Sequence, residues 1–342
     1  MESLASLDRL ARQRYIMGIA MFVQAQRRAG MRARLTLEIK VVLSSLIALT
    51  LTGCSIRSMA INSLADSLAA SGDVFASDED PELVRDATPF ALKTIESLLA
   101  ERPNHAQLLL AACSGFTQYG YAFVQVDAEQ MQEEDYEESE RQYDRALALY
   151  LRGRDYCFRL LNQRWPGIVE RLSTHPEAAV EVFQKGDVEL VFWTGASWGA
   201  AIAIGQDRPE LVADLPAVKA LMGRALTLDE TFDHGAIHGV LISLNALPEA
   251  MGGSPEKARF HFQRAVELAD GASAGPYVSL AKGVVVAEQN WEEFESLLEA
   301  ALAVDPDKAP SIRLVNAIEQ RRARWLLDRI DLYFVDYPVS EE

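Results

Sequence analysis

The chain has 342 residues, nearly half of them hydrophobic, with 33 Lys and Arg against 50 Asp and Glu and a formal charge of −17. Such a balance repels polyphosphate and anionic lipid headgroups, which argues against nucleic-acid binding and against electrostatic docking on a membrane. The length suffices for one large or two modest domains with a real core.

The first informative stretch is "LIALTLTGCSIRS", residues 46–58. The apolar run from Val41 to Thr52 is interrupted only by hydroxyls, and Arg32, Arg34 and Lys40 lie just upstream. Basic, then apolar, then small is the layout of a signal peptide. As a helix the run would span about 18 Å against a bilayer core of roughly 30 Å, too short for a comfortable membrane span. Its end, Leu51-Thr52-Gly53-Cys54, resembles the lipobox of bacterial lipoproteins, which implies a lipidated Cys54 as mature N-terminus. Residues 1–30 hold a second short apolar patch, and starting at Met31 gives an ordinary basic n-region. The expected division is therefore an uncertain leader over 1–30, a signal peptide over 31–53, a lipidated tether over 54–59, a helical domain over 60–335 and a tail over 336–342. The first 53 residues carry eight Lys or Arg against three Asp or Glu, so their removal takes the charge from −17 to −22. Membrane attachment then comes through the lipid, and two or more acyl chains hold stably without a basic patch. Ser55 is not the aspartate that commonly retains lipoproteins in the inner membrane, so the expectation is a periplasm-facing lipoprotein of the outer membrane.

From there on the chain reads at helical period. "DEDPELVRDATPFALKTIESLLAE" has acidic residues near its start, where they favour the helix dipole. After "RPNH", Leu108, Leu109, Ala112, Phe116, Tyr119, Phe123 and Val126 trace one face of a long helix, with Asn104 as its expected N-cap. The periodicity weakens between Asp127 and Val188, where the acidic run "EQMQEEDYEESE" reads as a solvated connector or helix start. Cys113 and Cys157 sit in helix-like apolar surroundings and read as two small buried hydrophobes ahead of a disulfide, although an oxidising periplasm allows the bridge.

The phrases from Arg224, Arg264 and Ala300 share one grammar: a small residue and an apolar pair end a helix, an acidic or Pro-bearing turn follows, and a second amphipathic helix begins. Ala225, Ala265 and Ala301 recur at spacings of 40 and 36, near the 34 residues of tetratricopeptide repeats. The implied fold is all-α, with TPR-like helical hairpins stacked into a curved solenoid or bundle as one domain.

Three constellations invite chemistry. Gly195-Ala196-Ser197-Trp198-Gly199 matches G-x-S-x-G, the nucleophile elbow of serine hydrolases, and "VELVFW" before it reads as a possible strand. Asp207, Asp229, His234 and His261 follow in the order a triad needs. The preceding helices offer no oxyanion loop, so a closely packed helix is the preferred reading. His234 and His238, spaced i and i+4, would share a helix face and hold a metal, but no acidic residue completes HExxH, and capping or packing is preferred. Phe116, Tyr119, Tyr121, Phe123, Trp193 and Trp198 are candidates to line a groove, against core packing as the plainer explanation. The sequence shows no P-loop, dinucleotide fingerprint or CxxC, so neither a cofactor nor a metal is expected.

With these residues placed, the chain resembles the T-component family of TPR-protein-associated TRAP transporters. "DPELVRDATPFALKTIESLLAERPNH", "LYLRGRDY", "FWTGASWGAAIAI" and "RLVNAIEQRRARWLLDRIDLYF" carry the likeness. The resemblance implies an all-helical periplasmic lipoprotein without catalysis that scaffolds the solute-binding P component. It also implies a homo-oligomer, with a trimer as the expected form, and a cleft for a hydrophobic or amphipathic organic ligand, for which Phe116, Tyr119, Phe123, Trp193 and Trp198 are the candidates. The competing readings are a lipid-anchored serine hydrolase and a structural TPR lipoprotein of envelope assembly.

Overall fold

The structure, a computed structural model, describes residues 72–338 together with positions 17, 18, 21, 24, 26, 31, 40, 63 and 66–68. Cys54 lies outside the described residues, as do nearly all positions of the expected leader, signal peptide and tether. The chain divides into two units, Met1–Ser63 and Leu64–Glu342, and nearly all of the described residues belong to the second.

All regular structure among the described residues is helical. In chain order the helices are α1 (Gly72–Ala76), α2 (Pro81–Glu101), α3 (Ala106–Tyr119), α4 (Val126–Met131), α5 (Tyr136–Arg164), α6 (Ile168–Thr174), α7 (Pro176–Val180), α8 (Val188–Ile204), α9 (Pro209–Val212), α10 (Leu215–Leu228), α11 (Phe232–Asn245), α12 (Pro255–Leu268), α13 (Gly275–Leu280), α14 (Trp291–Leu302) and α15 (Arg313–Leu327). Their starts are written in side chains. Asp80, Asp135, Ser254 and Asn290 each accept a hydrogen bond from a first-turn N–H of α2, α5, α12 and α14, which satisfies donors that helix geometry leaves open. At α3 the cap falls one residue later than expected: His105 Nδ1, not Asn104, accepts from Leu108 N.

The periodic face after "RPNH" forms as read. Leu108, Leu109, Ala112, Phe116, Tyr119, Phe123 and Val126 are all buried, although the helix changes to a π-turn at Gly120–Gln125 before resuming as α4. The acidic run contains the Asp135 cap and continues into the first turns of α5, a helix of 29 residues. "VELVFW", weighed as a strand, is the first part of α8.

Neighbouring helices pack in series: α2 on α3, α3 on α5, α5 on α8 and α8 on α10, then α11 on α12, α13 on α14 and α14 on α15. The larger core gathers Tyr150, Phe183, Trp198 and Leu221, and a second gathers Phe294, Leu298, Val285 and Leu326. Two glycines set close approaches. A Cβ at Gly153 would stand 2.9 Å from the Cys113 carbonyl oxygen, so α5 can lie against α3 only with glycine there. A Cβ at Gly195 would collide with the end of Met222 on α10.

One expectation is overturned. Cys113 and Cys157 are joined in a disulfide, their Cα atoms 5.4 Å apart. Both positions are fully buried, as the apolar surroundings required. The close α3–α5 contact at Gly153, one turn from Cys157, is what brings the thiols together, and no local pattern in the sequence specifies it. Closing a loop with 44 residues of separation removes unfolded-state entropy equivalent to about 4 kcal/mol in the chain-entropy model. Urea melts with and without reductant should differ by up to about that amount, and the Cys113→Ser/Cys157→Ser variant should melt like the reduced protein. Equal melts, or alkylation of Cys113 and Cys157 in the denatured unreduced chain, would show that the bridge does not form.

Candidate functional site: a buried ion cluster between two π-turns

Two π-helical turns interrupt the described helices, Gly120–Gln125 and Ala281–Val285. Such i→i+5 turns insert a residue, re-aim side chains and recur at functional sites. The first carries Tyr121 and the second Lys282, and both side chains reach the same buried cluster. Its centre is Glu129 of α4, which accepts hydrogen bonds from Lys282 Nζ and, at 2.8 Å, from Arg322 Nε of α15. Arg322 Nη1 donates to the Tyr121 hydroxyl at 2.9 Å, and that hydroxyl donates to Glu319 Oε1 at 2.6 Å. Lys282 also stands 5.1 Å over the Tyr333 ring. Glu319 Oε2 is buried with no hydrogen-bond partner, its nearest cation being Arg322 Nη1 at 3.9 Å.

The two carboxyls respond oppositely to their surroundings. Burial pushes Glu129 up, but the Arg322 and Lys282 charges and their hydrogen bonds outweigh it and hold the group down at about 2. At Glu319 burial is the larger influence and raises the carboxyl above the usual range, despite Arg322 and Tyr121. Burial also raises Tyr121 and lifts Tyr143 and Tyr333 to about 12, so these phenols are neutral donors at physiological pH.

Beside the cluster is a recess of about 30 Å³ lined by Arg85, Phe123, Val126, Asp127, Ile318 and Arg321 among others, room for roughly one water. Arg85 grips Asp127 through both Nη atoms and lies 5.1 Å over the Phe123 ring. A wider, open depression of about 620 Å³ is lined by Asn104, Asp155, Phe158, Arg159, Asn162 and Gln163. There Arg159 and Gln163 donate to the carbonyls of Pro103 and Asn104, holding the turn before α3.

Of the aromatic candidates, Phe123 lines the recess. Phe116 stacks on Tyr156 at 5.9 Å, and Tyr119 leans on Phe123 at 5.8 Å. On α8, Trp198 meets Phe158 edge-on at 4.8 Å and Trp193 meets Phe192 edge-on at 5.0 Å. Tyr121, weighed with them, belongs to the ion cluster.

The G-x-S-x-G segment has none of the geometry of a nucleophile elbow. It lies inside α8, and Ser197 is fully buried with its hydroxyl donating to Thr194 O at 3.1 Å. Gly195 and Gly199 face Met222 and Val218 of α10, so the glycines serve helix contact. The i, i+4 reading of His234 and His238 fails too. Asp233, His234 and Gly235 all have left-handed φ (43°, 55° and 82°), which breaks the helical register between the two histidines. His234 Nε2 instead pairs with Ser311 Oγ at 3.0 Å, while His238 meets His261 and Glu230.

The cluster of Glu129, Lys282, Glu319 and Arg322 escaped sequence reading, yet α15 carried a clue. Asn316, Glu319, Ala323 and Leu326 fall at helical spacing and are all buried, so Glu319 is a charge written on an apolar stripe. The hydrogen-bonded pairs of the cluster are 153 to 201 residues apart in the chain, which no periodicity encodes.

Removing one member of a buried pair leaves an uncompensated charge, at a cost of about 3–5 kcal/mol. Glu129→Gln should lose about that much at neutral pH, whereas Glu319→Gln, which removes a carboxyl whose ionised form burial disfavours, should lose less. The pH dependences run in opposite senses. A depressed Glu129 stabilises above the unfolded value of about 4.3 and loses that contribution as pH falls toward 2. A raised Glu319 favours the fold at low pH and loses its contribution as pH rises from the unfolded value through its own. Urea melts of both variants between pH 2.5 and 7 check this, and equal losses with parallel pH profiles would contradict the assignment.

A family model described as TRAP transporter T-component matches residues 77–334, about three quarters of the chain. An uncharacterized protein of Treponema pallidum (strain Nichols) is 29% identical over 303 residues, spanning 83% of this chain and 94% of its own. The matched region holds every helix from α2 to α15, both π-turns and the whole ion cluster. This all-α chain belongs to the TRAP transporter T-component family.

Proposed function

We propose that the protein is a non-catalytic accessory of a TRAP-type solute transport system, which docks the solute-binding P component on its helical surface and shelters a hydrophobic or amphipathic organic ligand. Family membership supports the transport association, and the family is a transport accessory, not a known enzyme family. No helix among the described residues is long and apolar enough to cross a membrane. Attachment in this proposal is by lipid at Cys54, facing the periplasm and most simply at the outer membrane. The Cys113–Cys157 disulfide supports an oxidising compartment. The serial helix pairs are read as TPR-like hairpins of a curved solenoid, working as a homo-oligomer with three copies as the expected number. In the ligand part of the proposal Phe123 is one of the candidates, and since its recess of about 30 Å³ holds roughly one water, an organic ligand requires that recess to open. Phe116 and Tyr119 lie on the same helical face, and Trp193 and Trp198 complete the aromatic set.

The observation that carries the docking reading is on α2. Its inner face buries Val84, Leu92, Ile95 and Leu99, yet Leu83 and Phe90 are 58% and 79% exposed on the outer side. With exposed Ala87 they fall at i, i+4 and i+7, an apolar stripe turned to solvent. A helix apolar on both sides fits a second partner, with the outer stripe as anchor for a groove.

Affinity capture from native membranes of the source cells tests this. The wild-type chain should recover a TRAP solute-binding protein, and Leu83→Asp/Phe90→Asp should lose it while keeping its helicity. Intact mass should show an acylated chain beginning at Cys54. Capture that survives the double substitution rejects this docking face. An unacylated chain retaining its leader rejects the anchor, and covalent labelling of Ser197 by a serine-directed phosphonate would replace the accessory reading with a hydrolase.

A further inference from the structure

Away from the ion cluster, α11 and α12 bring two histidines tip to tip. His238 Nδ1 and His261 Nδ1 are 2.9 Å apart, and His238 Nε2 lies 3.2 Å from Glu230 Oε1. Glu230 is a carboxylate and only accepts, so His238 carries its proton on Nε2 and presents a bare Nδ1 lone pair to His261. A carboxylate behind an imidazole is how proteins orient a metal-binding histidine, fixing its tautomer and raising its basicity. His238 is fully buried and held, whereas His261 is partly exposed and gives access from solvent.

We propose that His238 and His261 bind one divalent transition-metal ion of the imidazole-preferring class, Cu²⁺, Ni²⁺ or Zn²⁺, through their two Nδ1 atoms. Two nitrogens each about 2.0–2.1 Å from one ion stand roughly 2.9 Å apart at a right angle and about 3.4 Å apart at the tetrahedral angle, so the present separation suits the pair with little backbone movement. The rings now share a hydrogen bond, and binding turns them about their soft outer torsions until both lone pairs converge. His261 shifts its proton from Nδ1 to Nε2 through solvent, and the neutral pair releases no net proton. Arg264, three residues beyond His261, is neutralised by Glu230 and Glu267, while Lys257 is the remaining charged neighbour of His261. No cluster of three or more His, Cys, Asp or Glu suited to a metal occurs among the described residues. Water therefore completes the shell, and the site is open, not a closed structural one.

The test is calorimetric titration of the untagged, chelator-treated full chain with Cu²⁺, Ni²⁺ and Zn²⁺ in turn, with histidine ¹H–¹⁵N spectra recorded alongside. One equivalent should bind, and among the five histidines the Nδ1 signals of His238 and His261 alone should shift or broaden. His238→Gln and His261→Gln should each weaken binding at least tenfold, Glu230→Gln should weaken it about 10–100-fold, and His234→Gln should leave it unchanged. The spectra decide the matter on the unmutated protein even where a variant folds poorly. Absence of binding by any of the three ions, or binding that leaves the His238 and His261 signals in place, overturns the proposal.

Discussion

Only 11% of the Arg322 side chain is exposed, so most of the partners for its charge must come from the protein. Glu129 supplies a carboxylate, Tyr121 a hydroxyl oxygen and Glu319 a second acidic group at longer range. Burying a guanidinium without such partners would cost several kcal/mol, so the position of α15 depends on α4 and the first π-turn, which supply them. Lys282 from the second π-turn adds a second cation to the Glu129 carboxylate. The two turns are where the helical ladder yields so that side chains from opposite ends of the domain can meet.

Around that bolt the rest is ordinary helical packing made tight at a few points. Glycine at 153 and the Cys113–Cys157 bridge close α3 against α5, while Gly195 and Gly199 close α8 against α10. The outer side of α2 is different in kind, because Leu83 and Phe90 contribute nothing to the core they sit beside. One helix thus has an inner face fixed by burial and an outer face whose Leu83 and Phe90 stay exposed.

Two motifs with catalytic or metal-binding associations changed meaning on folding. The serine of G-x-S-x-G became an interior helix residue whose hydroxyl bonds its own backbone. His238 lost its i, i+4 neighbour to a left-handed turn and gained His261 from the next helix. In both cases the spacing in the chain was real but the chemistry also needed a backbone that the fold does not have, and the closely packed helix preferred for G-x-S-x-G is the one found. A strand-to-helix turn was required in one case and an unbroken helix in the other.

What the sequence determined by itself was whatever is local. The all-α class, the buried face from Leu108 to Val126 and the burial of both cysteines follow from 3.6-residue periodicity, and the acidic start of α2 from its fit to the helix dipole, each settled within a few turns of chain. The motifs between positions 80 and 334 carried the family likeness for the same reason, since they are contiguous stretches. Tertiary structure alone decided the disulfide, the Glu129–Arg322–Tyr121–Glu319 chain, the His238–His261 pair and which face of α2 stays in solvent. Each depends on residues tens to hundreds of positions apart, or on which helix covers which, and side-chain pattern along one helix holds no information about the partner laid across it.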